Sequence, residues 1–451
     1  MALIDDLKRK YYGKKVLVVG LGLQGGGLGT ARFFSELGAK VIVTDKKTEK
    51  QLYSSIQKLK NFKNIDFHLG SHFLDDFVNA DIIFKGPGVS WQLPEIIEAE
   101  KRKVPIEMEM SFTACYFPGK IIGITGTRGK STTTNLIFNI LKEAGFKVFL
   151  GGGLPGVCNL EFLKKADKNT WLVAELSSWA LSGFHKKKIS PHIAVFTNFY
   201  PDHLNYYKNM NDYLFDKKAI YLYQKENDYL VANKSLKELI NEKNKNIIWF
   251  SKDDFPYKLK YLKGDHNLEN AASVLKMAQI LNINQKKAVK IISNFKGIPY
   301  RQEIIEEKNG IIFINDTTST TPTATIKAIE SFGNKKIILI LGGNSKNLPF
   351  DDLIKNLNKT EKIVLLAGSF TDEILENLNR FFPEKITKKI YDNLEEAIKK
   401  AYELAKEIQS KSIDKNEVCI LFSPGATSFA MFNNEFHRGD EFNKIVKKII
   451  S

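Results

Sequence analysis

The sequence predicts an α/β protein of three domains, each a three-layer arrangement of helices on a sheet. Three observations carry that expectation. The chain has 451 residues, about three times the usual domain size, so a single core is not expected. Two glycine-rich turns of different kinds, one near residue 20 and one near residue 126, each follow an apolar strand and open a helix. The last third alternates short apolar strands with amphipathic helices.

In chain order, Lys14-Lys15-Val16-Leu17-Val18-Val19-Gly20 reads as a strand, Leu21 to Gly29 as a tight turn, Thr30 to Gly38 as a helix and Ala39 to Asp45 as the next strand. That is a βαβ unit, and further units follow through Phe84-Lys85-Gly86-Pro87-Gly88-Val89. A second region begins at the strand Lys120 to Gly126 and continues through the apolar runs around Trp171 to Leu176 and His192 to Asn198, which predicts another parallel sheet. A third region holds the strands Ile311 to Asp316, Lys336 to Gly343, Lys362 to Gly368 and Glu417 to Gly425. The expected boundaries are 1–112, 113–298 and 299–451.

Composition narrows the class. Hydrophobic residues are 43% and charged residues 26% of the chain, ordinary for a soluble globular protein. No apolar run approaches the ~20 residues of a membrane span, and the charged start runs directly into Val16-Leu17-Val18-Val19 without an apolar leader. Three scattered cysteines, Cys115, Cys158 and Cys419, fit a reducing compartment rather than a disulfide framework. A cytoplasmic protein is expected, acting without a membrane and as a monomer. The formal net charge is +16, yet only seven of the 67 basic residues are arginine. Readers of bases and phosphates favour the planar guanidinium, so nucleic acid is not expected, and the lysines are read as a solvated surface that can steer anionic substrates.

Two motifs predict phosphate binding. Gly20-Leu21-Gly22-Leu23-Gln24-Gly25 fits GxGxxG between strand and helix, with Asp45 ending the next strand. Its glycines let backbone amides approach a diphosphate at a helix N-terminus, whichever nucleoside is attached. Gly123-Ile124-Thr125-Gly126-Thr127-Arg128-Gly129-Lys130-Ser131-Thr132-Thr133 is a variant P-loop, because Ile124 stands where the strict spacing requires glycine. Its amides would cradle ATP phosphates, Lys130 would reach the outer ones, and the Ser131 or Thr132 hydroxyl would bind Mg²⁺. Glu175, in Glu175-Leu176-Ser177-Ser178 at a strand end, offers a hard oxygen to the same ion. By themselves, Asp202-His203 and Lys217 read equally well as surface residues.

Together these motifs resemble a known set. The G-T-x-G-K-S-T loop, E-L-S-S, N-x-x-x-D-H-L, a lysine about 14 residues later, G-x-H-N-x-x-N, R-x-E after a proline, a strand ending in N-D, L-G-G-x-x-K and S-P-G-x-x-S occur in this order in Mur ligases, and the match covers essentially the whole chain. The resemblance implies a Rossmann-like UDP-binding domain, a P-loop ATPase-like central domain and a Rossmann-like C-terminal domain. It implies ATP-dependent formation of an amide between UDP-N-acetylmuramoyl-L-alanine and D-glutamate in the cytoplasmic steps of peptidoglycan synthesis.

Residue by residue, the resemblance places Gly22, Leu23, Gln24, Asp45, Lys46, Gly86, Pro87 and Gly88 at the UDP substrate. It places Gly126, Thr127, Gly129, Lys130, Ser131, Thr132, Asn267, Asn270, Arg301 and Asp316 at ATP. Two Mg²⁺ ions are implied, with Ser131, Glu175, His203 and Lys217 as ligands. Lys217 would serve as a carbamate, and Lys130, His203 and Lys217 are the implied catalytic residues. Thr320, Lys346, Ser428 and Phe429 match positions that receive D-glutamate. The chain departs from the pattern at Gly153, where many relatives have asparagine, at Thr317 to Thr321, where a lysine is lost, and in the Asn433-Asn434-Glu435-Phe436-His437-Arg438-Gly439 order. The alternatives are a sibling ligase or folylpolyglutamate-type synthetase using another amino acid, or an NAD-dependent oxidoreductase built on the first glycine turn. The motif D-N-P-R of diaminopimelate-adding siblings is not found, and hydride transfer has no use for the second phosphate loop.

Overall fold

The computed structural model describes residues 2–450 except 23–24, 155, 203–205, 241–245, 263, 347, 412–417, 429–431 and 433. Of the expected site residues, Leu23, Gln24, His203 and Phe429 lie outside the described residues.

The first sheet consists of β1 (Lys15–Val19), β2 (Lys40–Asp45), β3 (Ile65–Leu69), β4 (Ile82–Lys85) and β5 (Ile106–Glu107), in the order β3-β2-β1-β4-β5. Every pairing is parallel. β1 is buried along Val16-Leu17-Val18-Val19 on both faces, which explains its uninterrupted apolar run.

The second sheet consists of β6 (Lys120–Thr125), β7 (Val148–Gly152), β8 (Trp171–Glu175), β9 (Ile193–Phe196), β10 (Tyr229–Asn233) and β11 (Asn246–Phe250), in the order β11-β10-β9-β6-β8-β7 and again all parallel. After β6 the chain goes to the edge at β7, fills in β8 beside β6, then crosses to build β9, β10 and β11 outward on the other side. β6 therefore stands at the topological switch, where parallel sheets open a crevice beyond their strand ends. The first two sheets belong to one compact unit, Met1–Phe295.

The other unit, Lys296–Ser451, holds β12 (Glu303–Lys308), β13 (Ile311–Asn315), β14 (Lys336–Gly342), β15 (Lys362–Leu366), β16 (Ile386–Tyr391) and β17 (Val418–Phe422), in the order β12-β13-β17-β14-β15-β16. β12 runs antiparallel to β13. The cause is the turn Asn309-Gly310, whose φ values of 53° and 75° are those of a tight hairpin turn with two left-handed residues. The remaining pairings are parallel. Apolar clusters cover both faces of this sheet, one around Phe313, Ile340 and Phe442 and the other around Ile337, Leu339 and Leu421.

Candidate functional site

The glycine turn of the first sheet is built as its sequence requires. Gly20, Gly22 and Gly25 all have positive φ, at 90°, 64° and 101°, which side chains rarely tolerate. A Cβ on Gly27 would stand 2.1 Å from the Gly20 carbonyl oxygen, so the helix Gly26–Glu36 can pack against β1 only through glycine. Asp45, 9% exposed at the end of β2, accepts from the Gly22 amide at 3.4 Å and the Lys47 amide at 3.0 Å. Gly86 donates to the Val19 carbonyl at 2.8 Å, which brings the Gly86-Pro87-Gly88 turn to the same sheet end, with Lys46, Pro87 and Gly88 exposed.

The second phosphate loop leaves β6 at the switch point. A Cβ on Gly126 would meet Thr197 Oγ1 at 1.9 Å, and one on Gly129 would meet Asn270 Oδ1 at 2.3 Å. Gly129, at φ 80°, is the N-cap of the helix Lys130–Glu143, so the positive end of that helix opens without a side chain in the way. The Arg128 amide donates to Asn198 Oδ1 at 2.8 Å, and Thr197 Oγ1 donates to the Arg128 carbonyl at 2.7 Å. Thr127 Oγ1 accepts from the Tyr200 amide at 3.0 Å. Lys130 Nζ lies over the loop, donating to the Gly126 and Thr127 carbonyls at 3.0 Å each. Asn270 accepts from Thr133 Oγ1 at 3.3 Å and donates to Asn267 Oδ1 at 3.3 Å, so both expected adenine contacts stand beside the loop.

Lys217 reaches the same carbonyl from the helix Met210–Lys218. It is 1% exposed, and Nζ donates to Gly126 at 2.9 Å while lying 4.8 Å from the centre of the Tyr213 ring. Burial, reinforced by the Lys130 charge, holds its amine well below the usual lysine pKa against the opposing pull of Asp202 and Asp216. The sequence marked Lys217 only through the resemblance; its burial separates it from Lys218, which is partly exposed.

Glu175 ends β8, in register with Ile124 of β6. Its Oε2 is buried without a hydrogen-bond partner among the described residues, an arrangement that costs free energy unless a donor or cation completes it. Among the described residues no group of three or more His, Cys, Asp and Glu stands together. A Mg²⁺ ion here would thus depend on phosphate oxygens, water and hydroxyls such as Ser131, which is how that ion is ordinarily held; the orphaned Glu175 oxygen and the glycine-lined cradle fit Mg²⁺ and ATP. At Gly153 an added Cβ would find, among the described residues, only the Glu175 carbonyl, at 3.9 Å. The nearby Asn159 does not substitute for the missing asparagine: it is fully buried, holding the Gly152 amide at 2.7 Å and bonding to Glu109.

In the second unit, three loops converge at the ends of the adjacent strands β13, β17 and β14. Asn344 and Thr427 form an isolated bridge, the Gly425 amide donates to Ser319 at 2.9 Å, and Gly342 donates to Pro424 at 3.0 Å. Lys346, exposed, donates to Thr320 Oγ1 at 2.7 Å. Ser428 Oγ is buried and without a partner among the described residues. Sequence reasoning missed the brace beneath them. Arg438 is 1% exposed and bonds through Nε to Thr317 Oγ1 at 2.9 Å, while its other nitrogens donate to the Thr317 and Ala426 carbonyls. Burial lowers its pKa to about 10. Its signal was the arginine in the C-terminal motif; the aromatic beside it, Phe436, packs edge-on against Tyr300. Asp316 is buried, accepting from the Gln302 amide at 3.0 Å and Ser423 Oγ at 2.7 Å, so it is tied to the segment that carries exposed Arg301.

Comparison with known proteins agrees with this geometry. Family models match in three consecutive stretches: the Mur ligase MurD-like N-terminal domain over residues 14–107, the Mur ligase middle domain over 124–297 and the Mur ligase glutamate ligase domain over 300–411. The chain is 33% identical to a UDP-N-acetylmuramoylalanine–D-glutamate ligase of Borreliella burgdorferi, covering 99% of this chain and 100% of the relative. It is 34% identical to the enzyme of that name from Acetivibrio thermocellus, covering 99% of both. In fold it is similar to a UDP-N-acetylmuramate-alanine ligase of Thermotoga maritima, with 20% identity, a TM-score of 0.52 and coverage of 97% of this chain and 100% of that one. Full-length identity above 30%, together with three matched domains in the order found here, means that the chain belongs to the Mur ligase family.

Proposed function

We propose that the protein is an ATP-dependent ligase that joins D-glutamate to UDP-N-acetylmuramoyl-L-alanine, releasing ADP and phosphate. The observation that carries this reading is that Lys130 and Lys217 both reach the Gly126 carbonyl just past the end of β6, while Glu175, with an Oε2 that has no partner among the described residues, ends the neighbouring strand β8. An acid activated by phosphoryl transfer needs such a site, and a dehydrogenase does not. Full-length similarity to enzymes named for D-glutamate addition supports the substrates.

A carboxylate does not react with an amine at neutral pH. The substrate's alanyl carboxylate oxygen therefore attacks the γ-phosphorus of ATP, the bond to the ADP oxygen breaks, and an acyl phosphate results. Mg²⁺, when bound by Glu175, Ser131 and the proposed ligands His203 and carbamylated Lys217, neutralises phosphate charge. Lys130 and the amides of the loop place positive charge where the transferred oxygens lie. The amine of D-glutamate then attacks the acyl carbon, loses a proton, and phosphate departs as the amide forms. We assign the diphosphate end of the substrate to Gly22, Leu23, Gln24, Asp45, Lys46 and the Gly86-Pro87-Gly88 turn, the phosphates of ATP to Gly126, Thr127, Gly129 and Thr132, its adenine to Asn267 and Asn270, and the closure over the nucleotide to Arg301 and Asp316. The incoming D-glutamate is assigned to Thr320, Lys346, Ser428 and Phe429. Residues 1–112, 113–298 and 299–451 form the three working domains of a cytoplasmic monomer in peptidoglycan synthesis; no helix among the described residues is long and apolar enough to cross a membrane.

Phosphate release with UDP-N-acetylmuramoyl-L-alanine and a panel of D- and L-amino acids tests the reading. D-glutamate is expected to be preferred. Release with another amino acid in its place, or none with any, overturns it.

A further inference from the structure

One buried lysine has no part in the chemistry above. Lys85 ends β4, immediately before the Gly86-Pro87-Gly88 turn, and is 2% exposed. Its Nζ donates weakly to the Gly86 carbonyl at 3.4 Å, approaches Met108 Sδ at 3.6 Å and stands 4.3 Å from the centre of the Trp91 ring. The same indole receives Lys186 at 4.8 Å. Its Nε1 donates to Ser182 Oγ at 2.9 Å.

Ser182 and Lys186 belong to the helix Ser178–Lys187, which follows directly on Glu175. That helix is bound to the first sheet's side by further contacts: Lys186 pairs with Glu100 at 2.7 Å, and Lys187 pairs with Glu107. A Cβ on Gly183 would stand 2.8 Å from Ser111 Oγ, so backbone packs closely along the seam. A continuous path therefore joins the substrate turn to the phosphoryl site: Gly86, Lys85, Trp91, Ser182, and then up the helix to Glu175. Burial lowers the Lys85 pKa to about 7, helped by Lys186 and opposed by Asp216, which reduces the cost of keeping an amine in this seam.

We propose that Lys85 is a positioning residue for the arm of the substrate that joins its diphosphate to its reacting carboxylate. The inference rests on the functional reading above. A single molecule must touch the first glycine turn and the second phosphate loop at once, and a misplacement of about 1 Å at a reacting centre can cost a hundredfold. The seam sets the separation of the two ends. Loosening it leaves the nucleotide end bound and lets the arm miss.

Calorimetry with two ligands tests this. For Lys85→Met, the Kd of UDP should stay within about twofold of the parent, while the Kd of UDP-N-acetylmuramoyl-L-alanine should rise about tenfold. Lys85→Arg, which restores a donor and a cation over Trp91, should recover most of the loss. Equal weakening of both ligands would mean a merely structural role and overturn the proposal, as would no change in either. If Lys85→Met does not fold, Trp91→Phe decides by the same criteria, since it keeps the ring and removes the bond to Ser182. A parent protein that binds UDP but not the muramoyl substrate overturns the functional reading, and this inference with it; a parent that binds both beside an unaffected variant overturns the inference alone.

Discussion

In the proposed reaction the loop after β6 and the three loops after β13, β14 and β17 serve neighbouring steps, but they are made of different material. The first is a backbone site. Gly126 and Gly129 leave no room for a Cβ, Lys130 folds over its own loop, and the supporting groups Thr197, Asn198 and Asn270 contact main chain or glycine. The second, as proposed, is a side-chain site, in which Thr320, Lys346 and Ser428 come from segments far apart in the chain, two of which Arg438 ties together through Thr317 and Ala426. Phosphate is the same in every nucleotide, so a fixed net of amides and one lysine lying over the loop suffice. An amino acid must be told from others, and that requires side chains whose identity can change. The comparison predicts that damage to the first site is total and damage to the second is graded.

Lys217 gives the largest effect. Its amine is buried and kept from full protonation, the condition for reaction with CO₂. Lys217→Ala should lower phosphate release at least about a thousandfold, whereas Lys218→Ala should change it less than about threefold. Acetate or formate should partly restore the first variant by supplying a small carboxylate. Retained activity in Lys217→Ala would remove the residue from the chemistry and blur the contrast between the two sites.

Asp316 sharpens the comparison through stability. Burial raises its carboxyl from the usual 3.8 to about 6. The native state thus holds a proton that the unfolded chain has already released. The stabilisation is fully present below about pH 4, declines as pH rises through 6, and is absent above it. A shift of this size corresponds to at most about 3 kcal/mol. Asp316→Asn, which can still accept from Gln302, should therefore unfold at a higher temperature than the parent at pH 7.5 and lose less stability between pH 4 and 7. Parallel melting curves across that window would show that the carboxylate is ionised in the fold.

Lys346 should give the smallest effect, because it is exposed. Lys346→Ala is expected to raise the KM for D-glutamate about tenfold, near 1.4 kcal/mol, with the KM for ATP within about twofold. Steady-state kinetics with each substrate varied in turn will show it. A proportional rise in both would place Lys346 at the nucleotide instead.

Much of the fold was legible because parallel strands buried on both faces write themselves as apolar runs. Val16 to Val19, Ile121 to Thr125 and Ile337 to Leu341 were all foreseen as strands. β12 was not: Glu303-Ile304-Ile305-Glu306-Glu307-Lys308 is charged at four of its six positions, as an edge strand facing water can be, and its antiparallel direction rests on the two residues Asn309-Gly310. The backbone site was legible in glycine spacing alone. Arg438 and Lys85 were not, since a buried cation looks in sequence like any solvated one among 67 basic residues. What distinguishes them is the carbonyls, the indole and the sulfur around them, contributed by other segments.

The position of β17 bears on how the chain is made. The strand emerges after β13, β14, β15 and β16, yet it belongs between β13 and β14. During synthesis those two strands have no partner on their facing edges until residues 418–422 leave the ribosome, and such apolar edges invite pairing with other chains. The loop that bears Ser428 follows β17 directly. The proposed amino-acid site is therefore the last to be assembled, and a chain interrupted before β17 would carry a complete phosphate loop without the segment that bears Ser428.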